Sequence, residues 1–288
     1  MHFGHVLTAM VTPFDAYDQI DLNKMTKLIE HLLNNGTEGL VITGTTGESP
    51  VLSLEETEMV YDHVVTVVNN RVPVLAGTGT NDTKKTIMLT RIAENYGVDG
   101  IMLVAPYYNR PNQAGLYEHF KQIAQATTLP IMLYNIPGRC SVHVNAETII
   151  RLSEIDNIIA VKEACGNLDQ VATIISQTRP DFYVYSGDDS LTLPMLAIGS
   201  IGIVSVASHI IGNEINEMVT AFLEGNTKKA TALHLKNFPI MTGLFMAPSP
   251  APVKAALKLK GIDVGSVRLP LVDLSEAELV KLKQIING

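Results

Sequence analysis

Four apolar residues, Ile158, Ile159, Ala160 and Val161, run straight into a lysine, Lys162, followed by Glu163 and Ala164. A run that short and that apolar predicts a buried parallel strand. Lysine is among the residues least often buried without a partner. If Lys162 shares an inward parity with Ile158 and Ala160, desolvation disfavours its ammonium form and lowers its pKa. The neutral amine then attacks a carbonyl and forms a Schiff base. The competing reading is a strand-end lysine whose stem packs on apolar neighbours while its head reaches water.

Other groups at predicted strand ends have chemistry that suits such an amine. The turn Gly44-Thr45-Thr46-Gly47-Glu48-Ser49 offers two adjacent hydroxyls and free N–H groups, which suit a small carboxylate, although a Gly-Thr turn is often only a turn. It does not match the phosphate loop, and Gly77-Thr78-Gly79 lacks the third glycine of a dinucleotide fingerprint. Tyr107 and Tyr108 follow one predicted strand, and Tyr134 ends the next. Isolated tyrosines are usually core or interface residues. A tyrosine bonded to a second hydroxyl can instead relay protons, and Thr45 is the nearest candidate partner from a neighbouring strand. Arg139 reads either as a surface charge or as a bidentate clamp for a substrate carboxylate. His2, His5, His31, His63, His119, His143, His209 and His234 show no metal-ligand spacing, so a metal-dependent aldol mechanism has little support and no metal or cofactor is expected.

Composition narrows the class. A chain of 288 residues, 46% hydrophobic and 17% charged, buries a large core. Its net charge of −8 argues against a surface for nucleic acid. Cys140 and Cys165 form no Cys-x-x-Cys pattern and read as free thiols of a reducing compartment. The first residues lack the pattern of a signal peptide, so a cytoplasmic location is expected. The window 191–211 contains no Asp, Glu, Lys or Arg, yet Pro194, Gly199 and Gly202 interrupt it. It reads as a helix, a turn and a strand, not as a membrane span.

The elements that must position these groups alternate. Strands are predicted over 6–11, 39–43, 72–76, 100–105, 130–135, 158–162, 182–186 and 201–206, with helical patterns between them. Ser53 and Glu56 form a predicted capping box, as do Ser275 and Glu278, and Asp21, Asn81, Asn145 and Asn167 are predicted N-caps. Gly36 and Gly97 stand where helices should stop. Strand alternating with helix implies a parallel sheet, and eight such units imply an α/β fold of the (β/α)₈ TIM-barrel type, with a doubly wound sheet as the alternative. After the last strand, helices are predicted over 213–225, 226–245, 251–260 and 275–286. The chain thus reads as a barrel carrying the active site over 1–224 and a C-terminal helical region over 225–288.

With these segments in view, the chain resembles the dihydrodipicolinate synthase family, within the pyruvate-dependent class I lyases and aldolases. The resemblance runs from 7 to 271 and rests on ordered motifs: GTTGES (44–49), LAGTGTND (75–82), APYYNRP (105–111), YNIPGR (134–139), VKEA (161–164), YSGDD (185–189) and APVKAALKLKG (251–261). It implies that Lys162 condenses with pyruvate. Thr45, Tyr134 and Tyr108 match the family's hydroxyl relay, with Tyr108 reaching the site of a neighbouring subunit in a homotetramer built as a dimer of dimers. Thr46 matches a ligand for the pyruvyl carboxylate and Arg139 one for the carboxylate of L-aspartate 4-semialdehyde. The Gly187 and Val204 backbones are implied to line the pocket. The implied reaction yields 4-hydroxy-tetrahydrodipicolinate for lysine and diaminopimelate synthesis.

Two departures are Gly138, where serine commonly precedes the arginine, and Ser249, where asparagine is frequent. Gly138 is expected to loosen the loop that aims Arg139. Two rival readings share part of this pattern: a related aldolase, such as N-acetylneuraminate lyase or a keto-deoxy-sugar acid aldolase, and a non-catalytic pyruvate-binding regulator. In feedback-regulated relatives L-lysine sits near positions matching Ser49, Asn81 and Tyr107. There this chain has Lys85 in place of a glutamate, and Leu54 and Thr57 in place of histidines, so weak or absent inhibition is expected.

Overall fold

The computed structural model describes residues 2–287, so Met1 and Gly288, the outer ends of the two expected units, lie outside the described residues. Eight strands pair in parallel and close into a barrel in sequence order. They are β1 (Val6–Ala9), β2 (Gly39–Ile42), β3 (Val74–Gly77), β4 (Gly100–Val104), β5 (Ile131–Asn135), β6 (Ile158–Glu163), β7 (Tyr183–Ser186) and β8 (Gly202–Ser205). Closure is made by β1 against β8, with Thr8 opposite Ser205. The barrel is therefore the correct choice over an open sheet.

Each parallel pairing needs a crossover, and the helices supply it. Those around the barrel are α1 (Leu22–Leu33), α2 (Leu54–Val68), α3 (Thr83–Asn95), α4 (Gln113–Ala124), the single turn α5 (Pro137–Cys140), α6 (Ala146–Ser153), α7 (Leu168–Gln177), α8 (Thr192–Ala197) and α9 (Ser208–Leu223). Their starts follow capping chemistry. Ser53 Oγ accepts from the Glu56 N–H while Glu56 Oε2 accepts from the Ser53 N–H, the expected capping box, worth about 1 kcal/mol. Asp21 and Asn167 cap α1 and α7 as expected. Asn81 does not cap α3. Asp82 does, because its carboxylate reaches the N–H groups of Lys84 and Lys85. Asn145 holds the N-cap position of α6 but makes no side-chain cap bond.

Strand alternation sends side chains to two cores. Leu7, Val41, Leu75, Met102, Met132, Ala160, Tyr185 and Val204 fill the barrel interior. Ile42, Leu103, Leu133, Val161 and Ile203 pack outward under the helices. Ala160 thus lies inside, and Lys162 shares its parity. Ile158 does not: it belongs to the outer core. The register explains the difference, since Ile131 pairs Ile158 but Met132 pairs Ala160, an irregularity that resets the parity of β6 before the lysine.

After β8 the chain is helical. α9 begins earlier than predicted and bends at Ile211, whose φ/ψ of −128°/39° is not helical. Then come α10 (Thr227–Gly243), α11 (Ala251–Leu259) and α12 (Glu276–Asn287), with α11 packed on α9 and α12. The segment 262–273 returns to the loops after β1 and β2, where the Phe14 N–H donates to the Val264 carbonyl at 3.0 Å. Among the described residues no helix is long and apolar enough to cross a membrane.

Candidate active site

Lys162 and Tyr134 face each other across the β5–β6 pairing, directly in register. Lys162 is 4% exposed, and its Nζ lies 4.3 Å from the centre of the Tyr134 ring. Burial lowers the Lys162 pKa from 10.5 to about 8; Asp189 opposes the shift and Arg139 adds to it. Part of the amine is therefore neutral near pH 7. Burial pushes the Tyr134 phenol well above the usual tyrosine range, against the opposing influence of Arg139, so the hydroxyl keeps its proton. Thr45 also favours the ionised phenol, through a contact looser than a formed hydrogen bond. A protonated phenol beside a partly neutral amine can donate and recover a proton.

The turn that carries Thr45 and Thr46 leaves β2 through Thr43, held at φ +50°. Thr43 Oγ1 donates to the carbonyl of Gly77 at 3.2 Å. The Glu48 N–H closes the turn on the Thr45 carbonyl at 3.1 Å, and Ser49 N–H reaches the Gly44 carbonyl at 3.3 Å. Thr12 Oγ1 donates to the Gly47 carbonyl at 2.7 Å. Thr46 is buried beneath this turn, whereas Thr45 is half-exposed.

Arg139 lies in α5, opened by Pro137, whose missing N–H suits a first helical position. The loop beyond it is tied to the barrel by Asn135. This side chain accepts from the Val144 N–H at 3.0 Å and donates to the buried Glu163 carboxylate at 3.0 Å. Glu163 also accepts from Gln170 Nε2 and the Cys165 N–H, each at 3.0 Å. Nothing surrounds the position that a Cβ would occupy at Gly138. Asn135 and Glu163 were missed in the sequence, where Asn135 reads as the polar end of one strand and Glu163 as the first residue past another. The outward parity of Glu163, next to an inward Lys162, is the signal that would have found them.

The remaining positions divide. Val204 is in the barrel interior. A Cβ at Gly187 would come 2.7 Å from Ala164 Cβ and 3.1 Å from Lys162 Cε, so glycine there leaves room for the lysine chain. Tyr108 does not join the group within one chain: it is 88% exposed on the loop after β4, with φ +72°. A cavity of about 520 Å³ opens over the strand ends, lined by Thr45, Tyr107, Tyr134 and Arg139, and also by Lys85 and Arg268. Lys162 sits behind the Tyr134 ring and is not on its wall. Among the described residues no group of three or more His, Cys, Asp or Glu is placed to hold a metal ion.

This arrangement has close counterparts. The model of the dihydrodipicolinate synthetase family matches residues 2–288. A 4-hydroxy-tetrahydrodipicolinate synthase of Bacillus velezensis is 56% identical over 287 residues, covering 100% of this chain and 99% of that protein. The Bacillus subtilis protein of the same name is 55% identical over 288 residues, covering 100% of this chain and 99% of its own length. The crystal structure of a dihydrodipicolinate synthase of Bacillus anthracis superposes with a TM-score of 0.98 at 56% identity, covering 100% of this chain and 99% of that one. A synthase of Cyanidioschyzon merolae with lysine bound superposes with a TM-score of 0.97 at 44% identity, covering 99% and 97% of the two chains. Barrel, strand-end lysine and end-to-end similarity agree, and the chain belongs to the dihydrodipicolinate synthetase family.

Proposed function

We propose that this enzyme condenses pyruvate with L-aspartate 4-semialdehyde to 4-hydroxy-tetrahydrodipicolinate, in lysine and diaminopimelate synthesis, through a Schiff base on Lys162. The observation that carries the reading is the buried Lys162 amine paired in register with Tyr134. Neutral Lys162 attacks the ketone carbon of pyruvate and water leaves, giving an iminium. Loss of a proton from the methyl carbon gives the enamine, whose carbon attacks the aldehyde carbon of the second substrate. The new alkoxide takes a proton from the hydroxyl relay. The substrate amino group then attacks the imine carbon, closes the ring and releases Lys162.

Thr46 and its turn hold the pyruvyl carboxylate, and Tyr134 with Thr45 moves protons. Arg139 on the cavity wall holds the carboxylate of the semialdehyde, while Gly187 leaves room for the Lys162 chain and Val204 fills the barrel interior. Tyr108, exposed on a backbone conformation that bulky residues rarely adopt, completes the relay of a neighbouring subunit in a homotetramer. We assign 1–224 to the barrel unit and 225–288 to the helical region, and a cytoplasmic location fits the absence of any membrane-crossing helix among the described residues.

The test is an assay with pyruvate and the semialdehyde beside N-acetylneuraminate and 2-keto-3-deoxygluconate. Turnover with the first pair alone is expected. Cleavage of either sugar acid at a comparable rate overturns the assignment.

A further inference from the structure

The loop that carries Thr45 and Thr46 ends on a residue with its own unusual environment. Glu48 is buried in a left-handed conformation, φ +57° and ψ +34°. Its Oε1 meets Lys254 Nζ of α11 at 2.6 Å, with the two side chains 1% and 2% exposed. Its Oε2 accepts from the Arg268 N–H at 2.9 Å. Lys254 Nζ also donates to the Ser266 carbonyl at 2.9 Å. Both cations lie over the Phe14 ring, Nζ of Lys254 at 4.3 Å and the Arg268 guanidinium carbon at 4.2 Å from its centre. The Arg268 side chain then clamps the far side of the same loop. It donates to the Val51 carbonyl at 3.1 Å, to Glu56 Oε1 at 2.5 Å, and to the Asp18 carbonyl.

A buried ion pair is weak evidence for stability, because apolar residues of like volume usually serve as well. What this one does is geometric. The C-terminal region grips the segment between Thr45 and α2 at one buried carboxylate and one guanidinium, three residues beyond the relay hydroxyl. We propose that Glu48, Lys254 and Arg268 are positioning residues that hold the Thr45–Thr46 turn in register with Lys162 and Tyr134. The helical region is thereby part of the catalytic apparatus without touching substrate. This rests on the reaction proposed above.

The test uses the full chain with Glu48→Gln, Lys254→Met and the double variant, which removes both charges and leaves neither unpaired. Each is measured for thermal midpoint, kcat, KM for pyruvate, and borohydride trapping of pyruvate on Lys162. The single variants are expected to lower kcat by about 10–100-fold, the scale of a small misplacement of a reacting group, and to raise the pyruvate KM. Trapping at saturating pyruvate stays complete, because Lys162 is untouched. The double variant is expected to regain thermal stability but not kcat or pyruvate KM, a separation that a merely structural pair does not give. Should the single variants fail to fold, the double variant decides. Kinetic constants within about twofold of the unaltered enzyme, or activity that returns together with stability, overturns the proposal. Unaltered enzyme that neither turns over nor traps pyruvate overturns the underlying reaction instead.

Discussion

Tyr134 and Lys162 are opposite one another in the β5–β6 register, and the lysine nitrogen lies 4.3 Å from the centre of the tyrosine ring. The pair shares one apolar enclosure, and burial acts on its members in opposite directions. It favours the neutral form of each, lowering the amine and raising the phenol. A partly neutral amine and an uncharged phenol therefore coexist at one site.

The first consequence is a pH dependence. Lys162 is depressed to about 8, so its ammonium predominates below that pH and the attacking amine above it. The initial rate of borohydride-trapped adduct formation at subsaturating pyruvate should rise with pH through a midpoint near 8, the adduct mapping to the peptide that contains Lys162. The sign for stability is the reverse of a paired lysine: protonating a buried amine costs the fold, so this group opposes folding below about 8 and ceases to do so above the unfolded value of 10.5. A midpoint near 10.5, or label on another lysine, contradicts this account.

Tyr134→Phe keeps the ring over Lys162 and removes only the hydroxyl. Turnover should fall by roughly 10²–10³, the scale of general acid–base loss, with pyruvate trapping on Lys162 still detectable. The measurement is kcat beside the mass of the trapped peptide. Loss of the adduct together with turnover shows that the ring, not the proton, is what the site requires.

Much of this was legible in the chain. Eight apolar runs separated by helical patterns gave the barrel, and a lysine ending one of them is buried in its interior. The parity argument reached the right answer for Lys162 although Ile158 faces the other way, because the irregularity in β6 precedes Ala160. What stayed hidden was long-range pairing. Glu48 reads as the end of a turn motif, and its partner Arg268 lies 220 residues away, so no local period links them. Asp82 displaced Asn81 as a cap because both are good N-caps in adjacent positions, and only the chain direction decides between them.

Arg139→Ala should act on one substrate. Its side chain lies on the cavity wall in α5, while the pyruvate subsite is assigned to Thr46 on another strand end. KM for the semialdehyde is expected to rise about tenfold or more, matching loss of a charge-assisted hydrogen bond of about 1.5–3 kcal/mol. Pyruvate trapping should be unchanged. An equal rise in both KM values refutes the division.

Tyr108 offers a test of subunit sharing. It is exposed in the single chain, so a role in the relay requires a neighbour. Tyr108→Phe and Lys162→Ala proteins, each nearly inactive, should regain part of the activity when mixed under conditions that exchange subunits. The check is kcat of the mixture against mass spectra of the hetero-oligomers. Exchange without recovery places Tyr108 outside the relay.

The last prediction concerns L-lysine. The cavity wall beyond the active site carries Ser49, Leu54, Thr57, Lys85 and Tyr107. Ser49 and Tyr107 still offer hydrogen bonds to an amino acid there, as does the Asn81 side chain, since it is the backbone carbonyl of Asn81 that accepts from Asn109 Nδ2 at 2.9 Å. The charge is wrong for a cationic side chain, since an ammonium entering this wall meets the ammonium of Lys85 and finds apolar Leu54 beside it. Losing a charge-assisted bond costs about 1.5–3 kcal/mol, and like-charge repulsion adds up to about 1–4 kcal/mol depending on solvation. Together these weaken binding by roughly tenfold to a thousandfold or more. Initial rates at saturating pyruvate and semialdehyde should therefore be nearly flat in L-lysine. Replacing the charge in Lys85→Glu should introduce inhibition without changing the uninhibited rate. Half-inhibition of the unaltered enzyme below about 1 mM, where binding is worth roughly 4 kcal/mol, shows that Lys85 turns away from the ligand and that this reading of the wall is wrong.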